Sequence, residues 1–252
     1  MLYDSITFKE IVDADSAQEF MKEATKLAKT WELEDIGRKL EAKSAIISGI
    51  LAEDKIDSLN EDDLKKVIGM IFTIRRKTKR ILKANGLDNI RSSITDLLYG
   101  EKRLEDRFDE FVNSIESVEM KMRLNFAGEL LHYSNPDKYW LWTNWIWDPD
   151  TKTGSLPLVI QDFSNLSGTS LGDTYLRVGK ATLMVNAVGH KVSFSDMAKG
   201  LFGTNLFLAC VYAVYMYTVF KVKLSQEFNR ILPELAELTQ RVLGVYQMEL
   251  KN

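Results

Sequence analysis

The chain has 252 residues, 45% of them apolar and 27% charged, with a formal net charge of −3. That is an ordinary globular balance, large enough for one big domain or two small ones, and it excludes a chain that is a generic polyanion binder as a whole. The single cysteine, Cys210, excludes an internal disulfide framework and a cysteine-rich zinc or iron–sulfur site built from this chain alone.

Residues 1–14 show no clear period. MLYDSITFKEIVD has no basic region followed by an apolar one, so it does not read as a secretory signal. With one cysteine, a cytoplasmic location is the expectation. Ser16 and Glu19 have the spacing of a capping box, and Phe20, Ala24, Leu27, Ala28 and Trp31 mark one helix face. Trp31 is expected to be a core anchor. A second helix, over about 34–53, turns Ile36, Leu40, Ile47, Ile50 and Leu51 inward. Asn60 with Asp63 caps a third, expected to run on to Gly86, its early acids and late bases suiting the helix dipole.

That third segment carries the one dense basic cluster, Arg75, Arg76, Lys77, Lys79, Arg80 and Lys83. On one helix, Arg75, Lys79 and Lys83 share a face. The cluster is either a phosphate-contacting stripe for nucleic acid or an acidic partner, or a solvated helix end. The solvated end is the preferred reading. A short helix is expected from Asp88 to near Tyr99. The next places Leu104, Phe108, Phe111, Val112 and Ile115 on one face, and residues 118–133 form another.

Residues 125–154 hold four of the five tryptophans. Ser134-Asn135-Pro136 stops the preceding helix, because proline lacks an N–H and restricts the residue before it. The run YWLWTNWIW that follows is too aromatic for an exposed loop. It is either a core plug or a docking surface formed by Tyr139, Trp140, Trp142, Trp145 and Trp147. The plug is preferred because large exposed apolar patches are rare on monomers. Thr143, Asn144 and nearby carboxylates are expected acceptors for the indole N–H groups. Asp148-Pro149-Asp150 and Thr153-Gly154 read as turns.

LPLVIQ, 156–161, is a short strand or an extended strut. The Ser/Gly-rich stretch 165–172 is the best linker candidate. A helix over 173–188 follows, stopped by Gly189, and Ser193 or Ser195 caps a short one. GLFGTNLFLACVYAVYMYTVF, between Lys199 and Lys221, is uncharged and long enough to span a bilayer. A helix apolar all round is a membrane span or the centre of a larger protein. The amphipathic helices elsewhere favour the buried centre. Ser225 begins the last helix, with Pro233 kinking it or marking its true start.

No chemistry-bearing motif is complete. Glu129 and His132 form one Glu-x-x-His, whereas bundle di-iron sites need it twice; His190 has no glutamate three residues earlier. Glu129, His132 and Asn135 are the candidate polar site, with a carboxylate–imidazole bond and a helix-end imidazolium as its simplest content. DPDTKTG imitates a calcium loop, but Lys152 and Val159 stand at ligand positions. Cys210 lies in the apolar run, where a thiol behaves as a small hydrophobe. YLRVGKATLMVNAVG is similar to the hairpin of helix–hairpin–helix DNA binders, with Arg177 in place of the first glycine. No metal, cofactor or catalytic residue is assigned.

Two resemblances are carried by the middle of the chain. LLYGEKRLEDRFDEFVNSI with ELLHYSNPDKYWLW resembles an uncharacterised helical domain found beside restriction-type AAA ATPases. The matching residues are Leu104, Arg107, Phe108, Leu130, Leu131, His132, Asn135, Pro136, Tyr139 and Trp142. Trp140 replaces the usual proline, and Thr143 a usual Asp or Asn. WLWTNWIWDPDTKTG is similar to a protein encoded with sulfur-oxidising heterodisulfide reductase-like systems, which implies an accessory subunit without its own cluster.

The expected architecture is all-α: a single helical bundle, 1–252, around the buried apolar helix and closed by the tryptophan segment, with a possible subdivision after residue 164. The expected function is a non-catalytic interaction or accessory subunit, with a protein partner or a second copy and no membrane. Nucleic-acid binding through Arg75, Arg76, Lys79, Arg80 and Lys83, and an enzyme or metal site at Glu129 and His132, are the alternatives.

Overall fold

Capping chemistry sets where the first helices begin. The computed structural model describes residues 2–4, 6–7, 11–189, 202–223 and 233–250. Among these residues lie ten α-helices: α1 (Ala14–Leu27), α2 (Thr30–Ile50), α3 (Glu61–Gly69), α4 (Thr78–Asn85), α5 (Leu87–Tyr99), α6 (Leu104–Ser114), α7 (Met120–Ser134), α8 (Leu171–Gly189), α9 (Gly203–Lys223) and α10 (Leu235–Val242). The described chain is all-α, with isolated β-bridges only at Val12–Ile160 and Asp148–Thr153. Asn60 caps α3 in a full capping box with Asp63. The cap of α1 is Asp13 rather than Ser16. Its carboxylate accepts from the Ser16 N–H at 3.0 Å and the Ser16 hydroxyl at 2.9 Å, so the serine donates instead of capping.

Two expected helices are broken. Ala28 is extended, which ends α1 and resets the phase of the next helix. Trp31 therefore points outward and is 61% exposed, and Leu27 is 42% exposed, against the expected core anchor. The segment from Asn60 to Gly86 is also not one helix. It leaves helix after Gly69, turns through Ile71 and Ile74, both fully buried, and passes a 3-10 turn at Arg75–Lys77 before α4. Glycine is a weak helix former and β-branched residues follow it, so burying two isoleucines in a turn outweighs continuing the helix. Residues 156–158 form a 3-10 turn that delivers Ile160 to its bridge. The helix–hairpin–helix similarity fails, because α8 runs unbroken through it.

Contacts divide the chain into two compact units. One comprises Met1–Thr7, Ala42–Asn144 and Ser164–Lys180; the other comprises Phe8–Glu41, Trp145–Phe163 and Ala181–Asn252. Both are discontinuous, so no single cut of the chain separates them. In the first, α5, α6 and α7 pack on one another. Leu104, Phe108, Phe111, Val112 and Ile115 all point inward there, as their spacing requires. In the second, α9 packs on α1 and α10. The apolar helix is buried from Phe202 to Val211 and emerges at Tyr215, which is half-exposed. No helix among the described residues is long and apolar enough to cross a membrane. Pro233 stands two residues ahead of α10. The readings placed on His190, Ser193, Ser195 and Ser225 lie outside the described residues.

The tryptophan segment is divided between the units. Trp142 packs in the first, stacked on Phe108 with ring centroids 5.7 Å apart. Trp147 packs in the second, beside Phe163, and Trp145 lies 6.2 Å from Tyr212. Gly154, at φ 140°, is needed for the turn that follows. A β-carbon there would stand 2.3 Å from the Ile146 carbonyl oxygen.

Candidate functional site

Every residue of α7 from Leu124 to Tyr133 is buried. A helix buried all round must carry its polar side chains inside, and each then needs an internal partner. Glu129 and His132 are in this position. The partner of Glu129 is Lys43 of α2, whose Nζ lies 2.7 Å from Oε2. Lys43 is 0% exposed, Glu129 6% and His132 0%. The Lys43 ammonium also sits 4.1 Å from the centroid of the Tyr133 ring, where the negative ring face favours a cation. Ser44, next to Lys43, donates its hydroxyl to the Tyr133 carbonyl at 2.9 Å and so satisfies one of the last carbonyls of α7.

His132 bonds through Nδ1 to the Tyr139 carbonyl at 2.7 Å. A carbonyl only accepts, so Nδ1 carries the proton. Burial, and secondarily the nearby Lys43 charge, hold this imidazole at about 4, well below its ordinary value. The expected helix-end imidazolium is thus overturned: desolvation in a sealed site exceeds what the helix dipole and the Tyr139 bond supply. Burial pushes the Glu129 carboxyl up and the Lys43 ammonium down, and their mutual attraction opposes both shifts.

The tryptophan segment runs back along α7 in antiparallel fashion. Three contacts define the line. The Tyr139 carbonyl meets His132, the Trp142 carbonyl lies against Gly128, and the Asn144 N–H donates to the Asn125 side chain at 2.9 Å. A β-carbon on Gly128 would stand 2.0 Å from the Trp142 oxygen, so only glycine admits the segment this closely. Trp140 is fixed by two tyrosines: its N–H donates to the Tyr3 hydroxyl and its carbonyl accepts from Tyr175, each at 3.0 Å. Burial raises both phenols, that of Tyr3 to about 12.

The structure thus brings Glu129 and His132 together with Lys43 and leaves Asn135 exposed at the end of α7. Tyr139, Trp142 and Trp147 are buried and Trp140 and Trp145 half-buried, so these five do not form an exposed docking face. The Thr143 hydroxyl and Asn144 carboxamide make no hydrogen bond among the described residues, so they are not the indole acceptors expected. Arg76, Lys79, Arg80 and Lys83 are exposed, whereas Arg75 is half-buried in the 3-10 turn, off the α4 face. Cys210 is buried, its thiol pushed up to about 12. Asp148 accepts from the N–H groups of Asp150 and Thr151, which makes DPDTKTG a turn. No group of three or more His, Cys, Asp or Glu among the described residues is placed to hold a metal ion.

Sequence reasoning missed Lys43. The signal was present: Leu40, Lys43 and Ile47 share the inward face of α2, so a lysine falls on an apolar stripe. No protein-family model, curated protein or solved structure matches the chain.

Proposed function

We propose that this chain is a non-catalytic interaction or accessory subunit of a larger protein assembly, working in the cytoplasm. The observation that carries the reading is the sealing of Lys43 and His132. Catalytic groups must come within hydrogen-bond reach of a reacting atom, and these two present no surface to solvent. Lys43 and Glu129 neutralise each other, His132 is committed to a backbone carbonyl, and the cluster acts as a specifying core device. Trp31 and Leu27, exposed on one unit, are the side chains best suited to anchor a partner, since tryptophan is enriched among interface hot spots.

The test is a tagged purification from native cells, followed by reconstitution with the recovered partner and mass determination by light scattering. Trp31→Ala is expected to lose a stoichiometric complex with its melting temperature unchanged. Lys43→Met with Glu129→Leu is expected to keep the complex. A folded Lys43→Met, Glu129→Leu variant that loses the complex would overturn the reading, because it would give the cluster a role beyond specifying the core. The similarity of the tryptophan segment to a protein encoded with heterodisulfide reductase-like systems makes those components the first candidates for reconstitution.

A further inference from the structure

Ion pairing on this surface is uneven. Lys26, Lys65, Arg91, Lys102, Arg103, Arg177 and Arg241 each lie against a carboxylate. Arg76, Lys77, Lys79, Arg80 and Lys83 make no ion pair among the described residues, and all five are exposed. The sequence explains this. Between Asp63 and Asp88 there are eight Lys and Arg residues and no acid, in a chain whose net charge is negative. Such a cluster keeps its full field, which a paired surface does not.

The cluster also has a shape. A cleft of about 310 Å³ opens beside the start of α4, with Lys77, Arg80, Ser117 and Arg123 among its lining residues. Its far wall is the loop between α6 and α7, held to α4 by three hydrogen bonds, one of them from the Asn85 carboxamide N–H to the Glu116 carbonyl at 3.4 Å. Asn85 accepts the Glu116 N–H at 2.7 Å, and the Ser117 hydroxyl donates to the Arg80 carbonyl at 3.4 Å. Arg123 donates Nε to the Val118 carbonyl at 2.8 Å, which fixes its guanidinium at the wall. Glu119 is the one acid in the lining, against three cations. All these residues belong to one compact unit.

We infer that this cleft and the adjoining face of α4 bind the phosphodiester backbone of duplex nucleic acid without reading its sequence. Cations with no internal counter-charge and a fixed guanidinium are the groups that recognise phosphate. A single strand is disfavoured because it needs free aromatic faces for stacking. Phe72, the exposed aromatic nearest in sequence to the cluster, has its ring covered by the Arg75 guanidinium at 4.9 Å. The inference is independent of the accessory-subunit reading, since it rests on a different surface.

The experiment is fluorescence anisotropy with a labelled 20-base-pair duplex, as DNA and as RNA, titrated with the full chain from about 50 to 200 mM salt. Binding in the micromolar range is expected, weakening linearly in log–log form as salt rises. Lys77→Glu with Arg80→Glu should weaken binding at least about tenfold and reduce the salt slope by about two, with an unchanged circular-dichroism melt. Lys102→Glu with Arg103→Glu, the same charge change at paired cations, should leave affinity within about twofold. No duplex binding at the lowest salt, or equal loss in both variants, would overturn the inference. So would binding to polyglutamate alone, which would make the surface an acidic-protein site.

Discussion

His132 should set part of the acid stability of the protein. Its imidazole titrates near 4 in the fold and near 6.5 when exposed. As pH falls through that interval, the unfolded chain takes up a proton that the folded chain refuses, so stability falls. The contribution is complete above pH 6.5 and is lost as pH drops toward 4. Each pH unit within the interval is worth about 1.4 kcal/mol, so by pH 4.5 the loss is about 3 kcal/mol. Glu129 acts in the opposite sense, because its folded value is raised, and any total profile mixes the two. The difference between wild type and His132→Gln isolates the histidine. Glutamine can still donate to the Tyr139 carbonyl, so the variant should lose only about 1 kcal/mol at pH 7.5. Urea denaturation followed by circular dichroism at steps between pH 7.5 and 4.5 gives both curves. The wild-type curve should descend through that of the variant. Parallel curves would refute the argument, since they would mean that His132 takes up its proton in the folded state as readily as in the unfolded one.

Three further outcomes are expected. Lys43→Met alone should cost about 3–5 kcal/mol, because it leaves Glu129 without its counter-charge, while Lys43→Met with Glu129→Leu should recover most of that loss; a double-mutant cycle by chemical denaturation measures it, and additive losses would contradict it. Gly128→Ala should destabilise by about 1–3 kcal/mol as the tryptophan segment is pushed off α7, read as a lower thermal midpoint and a changed tryptophan emission; an unchanged midpoint would mean the segment can move aside. Trp142→Ala should cost about 3–5 kcal/mol and Trp31→Ala less than about 0.5, a contrast that paired melting curves check directly.

Local chemistry was readable wherever it acted over a few residues. The Asn60–Asp63 capping box, the inward stripe from Leu104 to Ile115 and the proline stop after α7 each depend on neighbours within about one helical turn. The burial of the first half of α9 was readable too, because an uncharged helix has no face to offer water. Trp31 was misjudged because helical phase is cumulative, and one extended residue at Ala28 rotates everything after it. The candidate site divides the same way. Glu129 and His132 stood out by their spacing, but their partners are Lys43, 86 residues earlier, and a carbonyl on a segment that doubles back. Periodicity assigns a residue to a face. Which charge meets it there, how dry the meeting place is, and hence whether an imidazole carries a proton at neutral pH, depend on which surfaces the folded chain brings together, and only the tertiary structure decides that.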